Sequence, residues 1–379
     1  MNVFLQFIFW FSAAFIFYTY AGYPVLLYLA AKFRTKPIRK VSQDPTVSVI
    51  LAAFNEEKHI EKKLLNLLEL DYPEDRIEIL IGSDGASDQT NEIVSKFRSH
   101  RIRFFRFIDN RGKPSVLNAL VQEARHEILL FTDARQELDR GAVRALTANF
   151  FDTEVGCVSG ELIFRRAEEG GVSQGMSQYW DYEKQLRKWE SNVGSMIGAT
   201  GALYAIRRRL YPQVPADMLV DDMFIPLAIV QKGYRAVFEP AAQAFDEPSQ
   251  EAKQELTRKI RTLAGNFQIF KSFPGLFNPA VSPVAWQIFS HKFLRLMIPY
   301  FLMLILAANL ALLSLPFYRF TLGAQAVFYG VAALESFQKN KKGIGYIPYT
   351  FCLLNFSAVI ALIRYLKRET KAAWEKAYV

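Results

Sequence analysis

The sequence predicts a doubly wound α/β domain with a mostly parallel sheet, placed between segments that are long enough to cross a membrane. Between residues 45 and 135, Val- and Ile-rich segments of strand length alternate with segments whose apolar residues recur at helical spacing. Such alternation is typical of parallel strands joined by crossover helices. The chain contains 32 Phe residues, and its apolar residues concentrate at the two ends.

Four strands and three helices are expected in the alternating region. The strands are predicted at 46–54, 76–85, 101–107 and 127–132, and the helices at 55–70, 88–97 and 113–124. The third strand, RIRFFRF, alternates charged and apolar residues, which favours a place at the edge of the sheet.

The N-terminal segment predicts a membrane-spanning helix. Residues 3–30 carry no charge, and a helix of that length can span a hydrocarbon core of about 30 Å. A cleaved signal peptide is the weaker alternative, because the segment lacks a basic start and is longer than the usual apolar core. Lys and Arg residues follow between positions 32 and 40. By the positive-inside rule this flank, and the domain after it, lie in the cytoplasm at the cell (inner) membrane.

The C-terminal third contains three further candidate spans. They are expected at 294–316, 318–336 and 345–364, and the loop SFQKNKKG and the tail beyond Leu366 are basic and therefore expected to be cytoplasmic. Three full crossings would place the tail outside, so one segment is expected to be re-entrant or interfacial. The chain is therefore expected to consist of a membrane helix at 1–31, the α/β domain at 45–270, an interfacial segment at 271–293, a membrane region at 294–366 and a tail at 367–379.

The charge and the cysteines limit the possible partners. The net charge of +9 is compatible with a domain close to an anionic membrane leaflet, or with an anionic substrate. No nucleic-acid-binding motif accompanies this charge, so no nucleic acid partner is expected. Cys157 and Cys352 lie in apolar contexts, which indicates neither a disulfide framework nor a zinc site.

Polar residues follow three of the predicted strands. Asn55 and Glu56 follow the first, Asp84 ends the second, and Asp133 follows the fourth. Ligands of doubly wound sheets bind at the carboxyl ends of the strands, so these side chains are candidates for ligand binding. Neither a G-x-G-x-x-G fingerprint nor a complete P-loop is present. The alternative is that these residues only cap the helices that follow.

Six segments, in order, resemble the family 2 glycosyltransferases with a GT-A fold. The resemblance is strongest to the membrane-bound synthases of extracellular polysaccharide, and it covers residues from about 47 to 265. The matching stretches are SVILAAFNEE, SDGASDQT, GKPSVLNAL, FTDAR, GATGALYAIRR and VDDMFIPLAIVQKGYRAVFEP.

The resemblance implies an inverting transfer of a sugar from a nucleotide-sugar donor. Asp222 matches the catalytic base of the family, and Asp221 beside it would raise the pKa of the pair through like-charge repulsion. Gly201 falls in the segment that borders the acceptor, and Asp221 is likewise expected to bind the acceptor. Trp180, in the aromatic-rich stretch before that segment, is expected to border the acceptor path, although packing in the core is nearly as compatible with this stretch.

The resemblance also implies which residues bind the donor. Asn55, Glu56 and Asp84 would hold the nucleoside, and Lys113 would meet the diphosphate or the base region. Alternatively, Lys113 is a solvated lysine at the start of a helix.

The family's D-x-D element departs from its pattern here. Asp133 occupies the first position, but Arg135 replaces the second acid, which in the family reaches a divalent metal. Three alternatives follow: Asp133 holds Mg²⁺ or Mn²⁺ with help from elsewhere, Arg135 replaces the metal at the diphosphate, or Arg135 faces away and leaves the metal to Asp133 alone. A metal at Asp133 is favoured.

A second departure concerns the Q-x-x-R-W element of processive enzymes. The corresponding stretch is ELTRKIR, with Glu255 in place of Gln and Lys259 in place of Trp. Arg258 and Arg261 share a helix face and are candidate partners of the diphosphate. Alternatively, this basic face lies on the membrane surface. Loss of the Trp platform weakens the expectation of processive polymerisation.

Three functions therefore stay open. The favoured one is transfer from a nucleotide sugar, with UDP as the expected nucleotide, to a membrane-associated glycan during extracellular polysaccharide synthesis. The first alternative is transfer of a single sugar to a polyprenyl or other lipid acceptor. The second is a non-catalytic membrane protein that binds nucleotide sugars.

Overall fold

The computed structural model describes residues 2–97, 99–165, 172–247, 252–338 and 345–369, without the side chains of 172–180 and 252–255. Its described strands form one eight-stranded sheet in the order β3-β2-β1-β4-β7-β6-β8-β5. The strands are β1 (Val47–Ala53), β2 (Ile77–Asp84), β3 (Ile102–Phe107), β4 (Ile128–Phe131), β5 (Glu137–Leu138), β6 (Val155–Phe164), β7 (Tyr204–Arg207) and β8 (Arg235–Asp246).

Eleven α-helical elements are assigned within the described residues. Those of the sheet domain are α2 (Ile60–Leu68), α3 (Thr90–Lys96), α4 (Lys113–Glu123), α5 (Ala142–Thr147), α6 (Val172–Val193), α7 (Asp221–Gln231) and α8 (Ala252–Ser272). Those at the ends of the chain are α1 (Asn2–Phe33), α9 (Ala285–Ala311), α10 (Pro316–Ser336) and α11 (Tyr346–Leu366).

The sheet is mixed, with a parallel N-terminal half. Strand β1 pairs in parallel with both β2 and β4, and β3 adds in parallel at the edge beside β2. Strand β7 runs antiparallel to β4 and β6, whereas β8 is parallel to β6. The predicted α/β class and the edge position of β3 are confirmed. The carboxyl ends of β1, β2 and β4 meet at one edge, where the polar residues named above lie.

Helices cover both faces of the sheet, so its central strands are buried on both sides. On one face Ile50 of β1 belongs to a core that includes Leu117 of α4 and Ile225 of α7. On the other face Val49 belongs to a core with Leu64 of α2. A strand that is buried on both faces has apolar residues at nearly every position, which accounts for the Val- and Ile-rich sequences of the central strands.

Three of the described helices, α1, α9 and α11, are long and apolar enough to cross a membrane. Helix α1 packs along α9, and α11 packs against α8 and α10. The helix predicted from residue 294 begins earlier, at Ala285, because π-helical residues Ile288–Phe293 continue it without a break. Helix α10 covers the predicted 318–336 segment and is not among these three.

Candidate active site

Asp133 lies just beyond β4 in a loop fixed by buried hydrogen bonds. The neighbouring Thr132 Oγ1 donates to the carbonyl of Ala202 at 2.8 Å and accepts from Lys63 Nζ at 2.8 Å. Lys63 also donates to the carbonyl of Gln136 at 2.7 Å. Burial lowers the pKa of Lys63 to about 7, with Asp133 acting in the opposite direction. These contacts hold the loop of Asp133 against the segment that follows Gly201.

Lys113, at the start of α4, connects the carboxylates of two distant segments. Its Nζ lies 2.8 Å from Asp133 Oδ1 and 3.5 Å from Asp221 Oδ2. Burial acts to lower the pKa of Lys113, but Asp133, Asp221 and Asp222 outweigh burial and raise it. The ammonium group therefore stays charged, and Lys113 is not a solvated lysine, since only 17% of its side chain is exposed.

Asp133 and Asp222 face each other across Gly201. An atom placed where Gly201 would carry a Cβ lies 3.4 Å from Asp133 Oδ2 and 3.4 Å from Asp222 Oδ2. The backbone holds this arrangement, because the amide of Ala199 donates to the carbonyl of Asp222 at 2.8 Å. The missing side chain of Gly201 therefore leaves open the space between the two carboxylates.

Asp221 and Asp222 form the first turn of α7, where acids also interact favourably with the helix dipole. Burial raises the pKa of Asp222 to about 6, reinforced by Asp221 and opposed by Lys113. Within the described residues, Asp221 Oδ2 is buried and accepts no hydrogen bond. Asp222 can therefore be ionised at neutral pH while remaining more basic than an ordinary aspartate.

Asp84 is fully buried, and backbone amides occupy both of its oxygens. Arg111 N–H donates to Oδ1 and Gly112 N–H donates to Oδ2, each at 2.8 Å. Gly112 has a φ of 83°, a conformation that favours glycine. These contacts set the start of α4 and hence the position of Lys113. Contact between Asp84 and a nucleoside stays a prediction.

Asn55 and Glu56 lie in the loop after β1, since α2 begins only at Ile60. Asn55 has a φ of 54°, and its Oδ1 accepts the backbone N–H of Ser87 at 2.8 Å. Burial raises the pKa of Glu56 to about 7, reinforced by Asp133 and opposed by Arg135. Glu56 therefore belongs to the electrostatic environment of Asp133, and its contact with the nucleoside stays a prediction.

Arg135 forms an ion pair within the protein. Its Nη2 lies 2.6 Å from Asp246 Oδ2, at the end of β8, and Gln136 Nε2 donates to the same oxygen at 2.8 Å. Asp246 is nearly inaccessible, with 2% of its side chain exposed. Sequence reasoning missed Asp246 and Lys63, because neither falls within a motif that carries the resemblance.

The remaining predicted residues lie on α6 and α8. On α8, Arg258 is half-buried and Arg261 is exposed. This helix packs close to the segment before Asp221, because Gln268 Oε1 accepts a hydrogen bond from the backbone N–H of Leu219 at 2.9 Å. Their contact with a diphosphate stays a prediction. The backbone of Trp180 lies in α6, but its side chain is outside the described residues.

Protein groups alone do not assemble a metal centre in the part of the chain that the structure describes, where no cluster of three His, Cys, Asp or Glu residues could hold an ion. Asp133 is the best single candidate ligand. One of its oxygens accepts from Lys113, its other oxygen faces the space beside Gly201, and 37% of its side chain is exposed.

Comparison with known proteins agrees with the motifs and the fold. Residues 48–212 match the model of the family described as Glycosyl transferase family 2. Poly-beta-1,6-N-acetyl-D-glucosamine synthase of Staphylococcus aureus is 27% identical over 217 residues, 55% of this chain and 52% of that protein. "Probable glycosyltransferase YdaM" of Bacillus subtilis is 26% identical over 248 residues, 62% of this chain and 58% of that protein. The chain thus spans about half the length of the curated relatives it matches.

A solved structure extends the likeness to nearly the whole chain. It is a mannosyltransferase of Pyrobaculum calidifontis in complex with GDP-Man and Mn²⁺, with a TM-score of 0.73 and 23% identity over 96% of this chain and 99% of that chain. This likeness establishes the shared fold. Residues 48–212 are therefore similar to a glycosyltransferase family 2 domain, in a chain that has the fold of the mannosyltransferase and helices apolar enough to cross a membrane.

Proposed function

We propose that the protein is a membrane-bound inverting glycosyltransferase that moves a sugar from a nucleotide-sugar donor to a membrane-associated glycan. The observation that carries this proposal is the pair of carboxylates, Asp133 and Asp222, facing one open space beside Gly201. Lys113 places a buried positive charge against Asp133 and against Asp221, the neighbour of Asp222 in the chain. A base on one side and a cation on the other are the groups that a direct displacement requires.

In this mechanism Asp222 takes the proton of an acceptor hydroxyl as its oxygen attacks the anomeric carbon. The bond between that carbon and the diphosphate breaks in the same step, and the bonding electrons leave with the diphosphate. Lys113 then offsets the charge that develops on the leaving group. The raised pKa of Asp222, about 6, keeps the group mostly ionised at pH 7 yet basic enough to accept the proton.

A divalent cation suits the donor side of this site. Mn²⁺ accompanies the nucleotide sugar in the mannosyltransferase of the same fold. Mg²⁺ and Mn²⁺ prefer oxygen ligands and are often held by one or two carboxylates together with substrate phosphates. The open oxygen of Asp133 fits that requirement, whereas Arg135 is held by Asp246. When bound there, the ion would neutralise charge on the departing diphosphate.

The donor nucleoside is proposed to lie over the ends of β1 and β2. Asn55, Glu56 and Asp84 gather there, and Arg258 and Arg261 of α8 are proposed to meet the diphosphate or the membrane surface. UDP is the proposed nucleotide, in keeping with the resemblance to polysaccharide synthases. Because the solved neighbour holds GDP-Man, GDP-sugars belong in the same experiment.

Extracellular polysaccharide synthesis at the inner membrane is the proposed setting, with the catalytic domain in the cytoplasm. The name of the Staphylococcus aureus relative, a polysaccharide synthase, supports this setting, and the basic flank between positions 32 and 40 supports the orientation. Transfer of one or a few sugars is the alternative, favoured by Lys259 in place of the Trp platform.

The alternative of a non-catalytic binding protein depends on Arg135, which stands in place of the second acid of the family's D-x-D element. Its ion pair with Asp246 gives it a place in the fold that requires no loss of catalysis. Asp222 is moreover present with a raised pKa, which binding alone does not need.

A donor screen tests the proposed function. The purified full chain in nanodiscs is supplied with UDP- and GDP-sugars, together with Mg²⁺, Mn²⁺ or EDTA, and nucleotide release is measured. We expect release of UDP from one donor and its loss in EDTA. Release that persists in EDTA would contradict the metal at Asp133. Nucleotide binding without release from any donor, with glycan and lipid-linked acceptors both supplied, would contradict the function.

A further inference from the structure

Lys63 of α2 is a cation within the apolar core of the sheet domain. Only 2% of the residue is exposed, and the other buried residues of α2 are Ile60, Leu64 and Leu67. A buried ammonium group costs free energy unless hydrogen bonds replace its hydration. An apolar side chain would fill the same place without this cost, so the groups that Lys63 contacts indicate its role.

Lys63 donates to two oxygens of the loop that carries Asp133. Its Nζ lies 2.8 Å from Thr132 Oγ1 and 2.7 Å from the carbonyl oxygen of Gln136. Thr132 and Gln136 stand at the two ends of residues 132–136, which form the Asp133 loop. One buried ammonium group thus connects both ends of the Asp133 loop, while the side chain of Asp133 stays partly exposed.

The charge of Lys63 fixes the direction in which the Thr132 hydroxyl points. An ammonium group has only donors, so the hydroxyl oxygen must accept from Lys63. A hydroxyl has one proton, and Thr132 donates it to the carbonyl oxygen of Ala202 at 2.8 Å. Another acceptor, the carbonyl oxygen of Asp133, lies 3.5 Å from the same hydroxyl. Lys63 therefore favours the hydrogen bond between Thr132 and Ala202 over rotation of the hydroxyl.

The hydrogen bond between Thr132 and Ala202 joins the two segments that border the open space beside Gly201. Thr132 precedes Asp133 in the chain, and Ala202 follows Gly201. A Cβ placed on Gly201 would lie 3.4 Å from Asp133 Oδ2. The place of the Asp133 carboxylate relative to Gly201 therefore depends on this buried hydrogen bond, and through it on Lys63.

We propose that Lys63 is a positioning residue of the transfer reaction, which holds Asp133, through the Thr132 hydroxyl, in the place where it binds a divalent cation on the nucleoside diphosphate. The proposal rests on the proposed function and adds a residue that lies outside the six matching segments. Lys63 is too deeply buried to touch the donor. It acts by keeping the Asp133 loop in one conformation, so that the cation binds without first ordering the loop.

Binding of Mn²⁺ together with UDP, and separately with GDP, tests this role without turnover. Electron paramagnetic resonance reports bound Mn²⁺ on the purified full chain in nanodiscs. Lys63→Met keeps the length of the side chain but has no N–H donor, and we expect it to raise the dissociation constant about tenfold, as for residues that support a metal ligand. The dissociation constant of the folded chain does not depend on how much of the preparation is folded, so a loss of stability alone would leave it unchanged.

Two replacements of Thr132 separate the effect of its hydroxyl from that of its volume. Thr132→Val has the same shape without the hydroxyl, and Thr132→Ser keeps the hydroxyl. We expect Thr132→Ser to bind Mn²⁺ with the nucleotide about tenfold more tightly than Thr132→Val. The double variant of Lys63→Met and Thr132→Val should lose about as much as either variant alone, because both remove the same contact. Losses that simply add would show that Lys63 acts independently of the hydroxyl and would overturn the proposal.

Lys62→Met is the matched control, because Lys62 precedes Lys63 in α2 and its side chain is exposed, 3.0 Å from Glu137. Equal dissociation constants for Lys63→Met and Lys62→Met would overturn the proposal. Equal binding by Thr132→Val and Thr132→Ser would also overturn it, and so would a wild type that binds Mn²⁺ with neither nucleotide.

The donor screen distinguishes a failure of this proposal from a failure of the proposed function. Nucleotide release by the wild type, with Mn²⁺ binding unchanged in Lys63→Met, would remove the role of Lys63 alone. Weaker Mn²⁺ binding in Lys63→Met, in a chain that releases nucleotide from no donor, would support the positioning of the cation site by Lys63 and remove the proposed function.

Discussion

Asp222→Asn is expected to lower kcat for sugar transfer by about 10²–10⁴-fold, the usual contribution of a general base. The amide cannot accept the proton of the acceptor hydroxyl, but it has the size and shape of the carboxylate. The proposed donor contacts at Asp133 and Lys113 stay in place, so we expect donor affinity to change little. Nucleotide release and donor titration on the same preparation measure the two effects separately.

Asp217→Asn is the control for this variant. Asp217 is exposed in the loop that leads to α7, so its replacement changes the charge of the chain equally without entering the site. Transfer at the wild-type rate by Asp222→Asn would show that another group takes the proton.

The pH dependence of wild-type transfer provides a second readout of the same group. A base acts in its deprotonated form, and the pKa of Asp222 is raised from 3.8 to about 6. Activity should therefore be lost as pH falls through about 6, with kcat/KM declining about tenfold per pH unit below that midpoint. Because Asp221, Lys113 and Asp133 interact with Asp222, the midpoint belongs to the group as a whole. A profile that stays flat down to pH 5 would contradict this assignment.

Asp133→Asn is expected to weaken Mn²⁺ binding in the presence of nucleoside diphosphate by at least about 10–100-fold. Replacing a residue that only hydrogen-bonds to a metal ligand already weakens metal binding by about that factor, so replacing a ligand should cost no less. The variant also removes the carboxylate that accepts from Lys113 at 2.8 Å. Electron paramagnetic resonance of Mn²⁺ reports binding without turnover, and nucleotide release should fall in parallel.

Asp75→Asn is the matched control for the metal site, because Asp75 is exposed just before the amino end of β2. If Asp133→Asn binds Mn²⁺ as tightly as Asp75→Asn does, the metal is held elsewhere. If Arg135→Ala instead removes donor binding while the Mn²⁺ signal is unchanged, Arg135 rather than a metal meets the diphosphate.

The strand ends could be predicted from the sequence because each follows an apolar run that only a buried strand explains. This pattern correctly predicted β1, β2 and β4, and with them the edge at which Asp84 and Asp133 lie, whereas β3 was predicted from its alternating charged and apolar residues. The motif order also indicated Lys113, Gly201 and Asp222 as site residues, and the structure brings them together beside Asp133.

The contacts that position the site could not be predicted in the same way, because they join residues far apart in sequence. Arg135 is separated by 111 residues from Asp246, its partner. Lys63 and Thr132 are 69 residues apart. A sequence pattern shows that Arg135 cannot bind a cation, but only the folded chain shows which acid holds it.

The apolar helices were predicted in part. Composition identified the first helix and the last one, but not where α9 begins. The stretch before residue 294 contains Trp286, His291 and Lys292, which resembles an interfacial segment. In the folded chain Trp286 Nε1 donates to Tyr18 at 2.9 Å and His291 contacts two buried carboxylates, so the helix continues through these polar groups.

The anomeric configuration of the product tests the central claim most directly. The proposed base Asp222, acting across the open space from the proposed donor site at Asp133, would carry out a single displacement. Transfer from a nucleotide sugar with an α-linked sugar should therefore give a β-linked product, which the one-bond carbon–proton coupling at the anomeric carbon identifies by NMR. An α-linked product would contradict the account, because retention requires a different reaction path from the single displacement proposed for Asp222.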